Sequence, residues 1–175
     1  MSEFRIINAE KLQDEVRKVF LPYLSNMLKL HEGNVISVFV YGSAASGGYI
    51  KGRSNINSAF VLNALGFQEL KNSIKAVSRG IRSSVAAPLF LTEEYILSSL
   101  DVFPIEFMDM KENHVLLYGR DVLSGLEIKG EHARLFCEQQ IKGKLVRIRQ
   151  AYLEVGLAKK GMKLLLKESL NSLIP

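Results

Sequence analysis

Leu12, Val16, Val19 and Tyr23 recur at steps of four, three and four, the spacing of one helix face. Asn8 is placed to cap that helix. Pro22 predicts a kink or a division into two short helices, the second carrying Leu24, Met27 and Leu28 to about His31. Glu32-Gly33-Asn34 signals a turn. Val35 to Tyr41 (VISVFVY) is β-branched and aromatic, and apolar on both faces except at Ser37, which predicts a central strand covered on both sides. Asn57 to Leu62 predicts a second strand and Gln68 to Arg79 a helix. Pro88 to Leu91 reads as short and extended, and Thr92 can cap a helix to about Leu100. Pro104 to Met110 (PIEFMDM) predicts a third strand and His114 to Tyr118 a fourth. This order implies an α+β fold, a mixed sheet with helices packed against it.

From Glu131 on the pattern changes. Cys137, Ile141, Leu145, Ile148, Tyr152 and Val155 step by four, four, three, four and three, which predicts a long amphipathic helix with Cys137 and Tyr152 on its buried stripe. Met162, Leu166, Leu170 and Leu173 continue the habit after a break at Gly156 to Gly161. Two such helices form an αα-hairpin. We therefore expect two parts, a sheet domain over 1–125 and a helical extension over 126–175. Its apolar stripes run on almost to Pro175 and need a partner: the sheet domain, further chain or a second copy. A homodimer through these helices is one expectation.

Composition narrows the class. Apolar residues make up 47% of the 175, enough for a core, yet no run approaches the roughly 20 residues of a membrane span. A single cysteine rules out an internal disulfide framework. These features and the charged N-terminus predict a cytoplasmic protein with no membrane partner. The net charge is +5 and sits on the tail: residues 1–130 carry 14 basic and 14 acidic residues, whereas 131–175 carry 9 and 4. That excess could attract RNA or a nucleotide; a solvated basic helix face is the simpler reading.

The stretch with chemistry in it is Gly42-Ser43-Ala44-Ala45-Ser46-Gly47-Gly48, which follows the first strand directly. Backbone N–H groups in such a turn can converge on an anion, with Ser43 adding a hydroxyl. Asn55-Ile56-Asn57 follows at the start of the next strand, where two polar residues one apart share a face. At this point the chain resembles the nucleotidyltransferases of the DNA polymerase β superfamily, whose pattern is an apolar strand, Gly-Ser, about ten residues, then Asp-x-Asp, with a third acid on a later strand. The helical tail, with Leu145-Val146-Arg147-Ile148-Arg149-Gln150-Ala151-Tyr152, also looks like the extension found after such domains.

The resemblance implies a nucleotidyltransferase-like mixed sheet followed by a helical hairpin. It also implies Gly42 and Ser43 as the phosphate grip for a nucleoside triphosphate. In the family, three carboxylates hold two magnesium ions that polarise the α-phosphate and stabilise the leaving pyrophosphate. Here the first two acid positions hold Asn55 and Asn57, and Glu106 is the match to the third. Asp109, three residues on, would face the other side of a regular strand. No cation follows Gly-Ser directly, and Lys51 or Arg53 are the substitutes on offer. The expectation is a catalytically degenerate member needing no cofactor, with magnesium at Asn55, Asn57 and Glu106 only if activity survives. The alternatives are an active NMP transferase and a helix-mediated dimeric scaffold. His31, His114 and His132 lack metal-ligand spacing and read as structural or exposed.

Overall fold

The computed structural model describes residues 4–156 and 158–173. The elements run α1 (Asp14–Leu30), β1 (Val35–Tyr41), β2 (Asn57–Leu62), α2 (Phe67–Ile81), β3 (Leu89–Leu91), α3 (Glu93–Ser98), α4 (Pro104–Glu112), β4 (His114–Gly119), α5 (Gly130–Val155) and α6 (Lys159–Leu173). The four strands form one sheet in the order β3-β2-β1-β4. β1 is antiparallel to both β2 and β4, and β3 runs parallel to β2. The sheet is therefore mixed and the fold α+β.

Alternation along the central strands sorts their side chains into two cores. Val38, Val40, Phe60, Leu62, Val115 and Leu117 join the α1 residues Val16, Phe20, Leu24 and Met27. Phe39, Ala59 and Val61 join Ile96 of α3 and Phe107 and Met110 of α4, with Leu123 and Leu126 beyond β4. A strand covered on both sides has no polar face to show, which is why VISVFVY is apolar apart from Ser37.

Three local expectations are corrected. Asn8 does not cap a helix. It takes a left-handed conformation (φ 52°) before a short 3₁₀ turn, and its amide nitrogen donates to the Leu116 carbonyl at 3.0 Å. Pro22 does not divide α1, which is one helix of 17 residues. A proline inside a helix costs about 3 kcal/mol, but Phe20, Tyr23, Leu24, Met27 and Leu28 are buried on both sides of it, and burial returns about 1.5–3 kcal/mol per large apolar side chain. PIEFMDM is helix α4, not a strand. Pro104 supplies a fixed φ at the first turn, and the buried residues Pro104, Phe107 and Met110 step by three, a helical period.

The chain divides into two compact units, 1–128 and 129–175. In the second, α5 and α6 pack as a hairpin. Cys137 is exposed and Tyr152 about half exposed, against the expectation of a buried stripe. Two helices cover only one side of each other, so much of an apolar stripe stays open. No helix among the described residues is long and apolar enough to cross a membrane.

Candidate functional site

The loop after β1 is built by its first residue. Gly42 has φ +69°, a region that costs an ordinary residue roughly 1–2 kcal/mol, and it turns the chain into a 3₁₀ turn over Gly42–Ala44. The Gly42 carbonyl accepts from the N–H groups of Ala45 (2.9 Å) and Ser46 (3.0 Å). Further along, the Gln13 side-chain amide donates to the Gly47 carbonyl at 2.6 Å. This bond ties the loop to the residue that precedes α1.

Asn57 opens β2 directly across from Tyr41. Its amide nitrogen lies against Gly42, 3.4 Å from where a Cβ would stand. Loop and strand start thus meet at one point. Asn55 is exposed. Between the two, Ile56 is fully buried and bridges to Val85, with the Ile56 N–H on the Ser84 carbonyl (2.8 Å) and the Ala86 N–H on the Ile56 carbonyl (3.0 Å). The ending of α2 delivers this segment. The Val85 N–H reaches the Gly80 carbonyl and the Ser84 N–H the Ile81 carbonyl, a Schellman closure with Ser84 in the left-handed position (φ 63°). The backbone beside Asn55 and Asn57 is therefore Ser84-Val85-Ala86, with no carboxylate.

Glu106 does not lie on a strand. It is exposed in the first turn of α4, and Asp109 is exposed on the same helix, where its carboxylate accepts from the Asn113 amide. Lys51 and Arg53 are exposed on a turn closed by the Arg53 and Ser54 N–H groups on the Ile50 carbonyl. Among the described residues neither makes an ion pair.

The sheet adds residues that spacing alone had set aside. Tyr41 pairs with Asn57 on one side and with His114 on the other. Directly opposed residues of antiparallel strands share a face, so Asn57, Tyr41 and His114 form a row at one end of the sheet. The His114 ring lies edge-on to Phe39, 5.6 Å between centroids, with Nε2 3.4 Å from the Asp121 carboxylate. Burial works to raise the Asp121 pKa, but the Leu123 and Ser124 N–H groups, followed by His114, outweigh it and hold the carboxyl below its ordinary range. Burial pushes the Tyr41 phenol up. The row offers an amide and a neutral phenol for hydrogen bonding with a polar ligand, while the imidazole beside them is held by the Lys111 carbonyl at Nδ1 (3.2 Å) and by Asp121 at Nε2. His114 was readable only as an isolated histidine, because nothing in the spacing announces that β4 pairs with β1.

His31 is structural. It is 4% exposed, and its Nε2 lies 2.7 Å from the Ser73 hydroxyl, which itself donates to the Glu69 carbonyl. That network assigns the proton to Nε2.

No family model matches the chain, and no curated protein matches it in sequence. Its backbone is similar to that of the spectinomycin adenyltransferase AAD(9) from Enterococcus faecialis, solved with ATP and spectinomycin: TM-score 0.52, 14% identity, 75% of this chain and 67% of that one. The chain has the nucleotidyltransferase fold. Lower agreement is found with a Sulfolobus solfataricus protein named as a nucleotidyltransferase (TM-score 0.40, 23% identity, 61% and 84% covered). A toxin–antitoxin structure with AMP-PNP gives a TM-score of 0.41 at 12% identity, with 77% and 95% covered.

The donor set on this nucleotidyltransferase fold does not fit a pair of magnesium ions. The two positions at the loop carry neutral amides, and the neighbouring segment brings no acid. Among the described residues no three of His, Cys, Asp or Glu come together as metal ligands. A hard dication held largely by neutral oxygens receives little Coulomb compensation for the water it gives up.

Proposed function

We propose that this chain is a catalytically degenerate member of the nucleotidyltransferase fold that serves as a nucleotide-binding or interaction module. The observation that carries the proposal is Asn57. Its amide stands against Gly42 at the meeting point of loop and strand, where the resemblance places a charged ligand. What remains is a glycine-led loop and a row of hydrogen-bonding side chains beside it. Any nucleoside triphosphate held there would rest on Gly42, Ser43 and the Asn57-Tyr41-His114 row.

The test is transfer of labelled NMP from each of the four NTPs by the purified chain, in magnesium and in manganese. The expected result is no incorporation. Incorporation that Glu106→Gln abolishes would establish instead an active transferase using that residue; the exposed helical position of Glu106 speaks against it.

A second reading, homodimerisation through the C-terminal helices, is favoured by one feature. α5 and α6 leave an apolar groove of about 580 Å³ lined by Ile148, Tyr152, Leu153, Met162 and Leu166. Light scattering at micromolar concentration should then give twice the mass of the chain, and a monomer would overturn this second reading.

A further inference from the structure

Helix α4 buries Pro104, Phe107 and Met110 on one side. On the other, Ile105 and Met108 are open to solvent, 37% and 36% exposed. They stand three residues apart and are neighbours on the helix surface. Asp109 lies four residues from Ile105, and Glu112 four from Met108, so both exposed carboxylates border the apolar pair. Asp109 accepts the Asn113 amide, and among the described residues Glu112 is in no ion pair. Lys111, the one base of the helix, is engaged elsewhere: its Nζ donates to the Leu126 carbonyl at 2.7 Å. The surroundings have the same sign, since Glu93 to Glu112 hold six acids and one base.

Helix α5 presents the reverse. Leu135, Val146 and Leu153 are 66%, 51% and 78% exposed. At 3.6 residues per turn, Leu135, Lys142, Val146, Arg149 and Leu153 fall within about 60° of one another around the helix. They form one exposed strip in which apolar and basic residues alternate. Lys142 also meets Glu138 at 3.2 Å, while among the described residues Arg149 is in no ion pair. Residues 134–153 carry five basic residues and one acid. Arg149 and Leu153 also line the groove between α5 and α6, so the strip continues the surface on which the homodimer reading rests.

Charge decides what can cover each face. Two α5 strips laid together would set Lys142 and Arg149 against their own copies, and two α4 faces would do the same with Asp109 and Glu112. Like charges brought face to face oppose association. The α4 face of one copy against the α5 strip of another sets carboxylates against cations and apolar side chains against apolar side chains. Each face is small. A two-fold axis makes the same contact occur twice, which doubles the area that the pair buries.

We propose that the outer face of α4 receives the α5 strip of a second copy, in a two-fold dimer with two equal contacts. This rests on the homodimer reading above and names the surface that the C-terminal helices meet. The apolar residues supply the contact area, and the opposite charges supply register and a salt-dependent encounter. The contact is independent of the nucleotide loop and holds whether or not that loop binds a ligand.

The test is sedimentation equilibrium on the full chain and two double variants, Asp109→Lys/Glu112→Lys and Lys142→Glu/Arg149→Glu, each first checked for an unchanged unfolding temperature. The wild type should be a dimer that weakens as salt rises. Either variant alone sets like charges in both contacts and should raise the dimer Kd about tenfold or more. An equimolar mixture of the two should associate again at near wild-type affinity, because in a mixed dimer both contacts pair opposite charges. The proposal is overturned if the mixture stays monomeric, or if the α4 variant dimerises as the wild type does. In that second case a dimer still lost in the α5 variant keeps the homodimer reading and gives its helices another counterpart. A monomeric wild type overturns the proposal and that reading together. A monomer destabilised by either double variant and restored when both are combined in one chain would make the occupant the α5 of the same chain, and overturns the dimer.

Discussion

Single residues set local stability and its dependence on pH. Gly119 is the most constrained backbone position, with φ +76° and a would-be Cβ 1.9 Å from the Ile36 carbonyl oxygen. No side chain can be placed there without moving β1. Gly119→Ala should therefore lower stability by more than about 3 kcal/mol in denaturant titration, above the 1–3 kcal/mol typical of overpacking. His31 sets a titration. Burial holds its pKa below 6.5, against a smaller opposing effect of Glu69. Between that lowered value and 6.5 the unfolded chain binds a proton that the folded chain refuses, so stability falls as pH falls through the window and is complete above it. Asp121 acts in the same direction at lower pH: its carboxyl is held down in the fold, and its contribution is lost only as pH drops below the ordinary carboxylate value. Thermal unfolding from pH 8 to 5 should show the first loss in the wild type and a flatter profile in His31→Gln.

At the scale of elements, α4 separates two accounts of the same seven residues. As a helix it buries Phe107 and leaves Glu106 in water. Phe107→Ala should cost about 3–5 kcal/mol, and Glu106→Gln should stay within about 0.5 kcal/mol, both read by chemical denaturation. Elements whose local pattern agrees with their surroundings were legible in the sequence. β1 is apolar on both faces because both are covered, and Thr92 caps α3 through the Tyr95 N–H as its position suggests. PIEFMDM was not legible, because a short apolar run fits either period and only Pro104 at its start argued for a helix. Pro22 misled for the opposite reason, since the packing that overrides a proline lies in distant strands. The loop and the Asn pair were readable from order and spacing. The Tyr41-His114 side of the site was not, since it depends on β4 returning beside β1.

At the scale of the whole molecule, the chain is a covered mixed sheet followed by a helical hairpin, and both hydrophobic cores lie within the first unit. A chain ending at Ile128 should therefore unfold cooperatively, with a transition close to that of the full chain. Loss of that transition would show that the second unit is needed for the first to fold. The sheet unit keeps the backbone of a nucleotidyltransferase while the loop, the two amides and the Ser84–Ala86 segment bring no anionic ligands together. Under the proposed function the change lies in the ligands and the frame is kept. The most direct measurement is a calorimetric magnesium titration of the chain with ATP, beside its Asn55→Asp/Asn57→Asp double variant. The account predicts no magnesium-dependent heat for the wild type and a measurable one once both carboxylates are restored. Saturable magnesium-dependent ATP binding by the unaltered chain would contradict it.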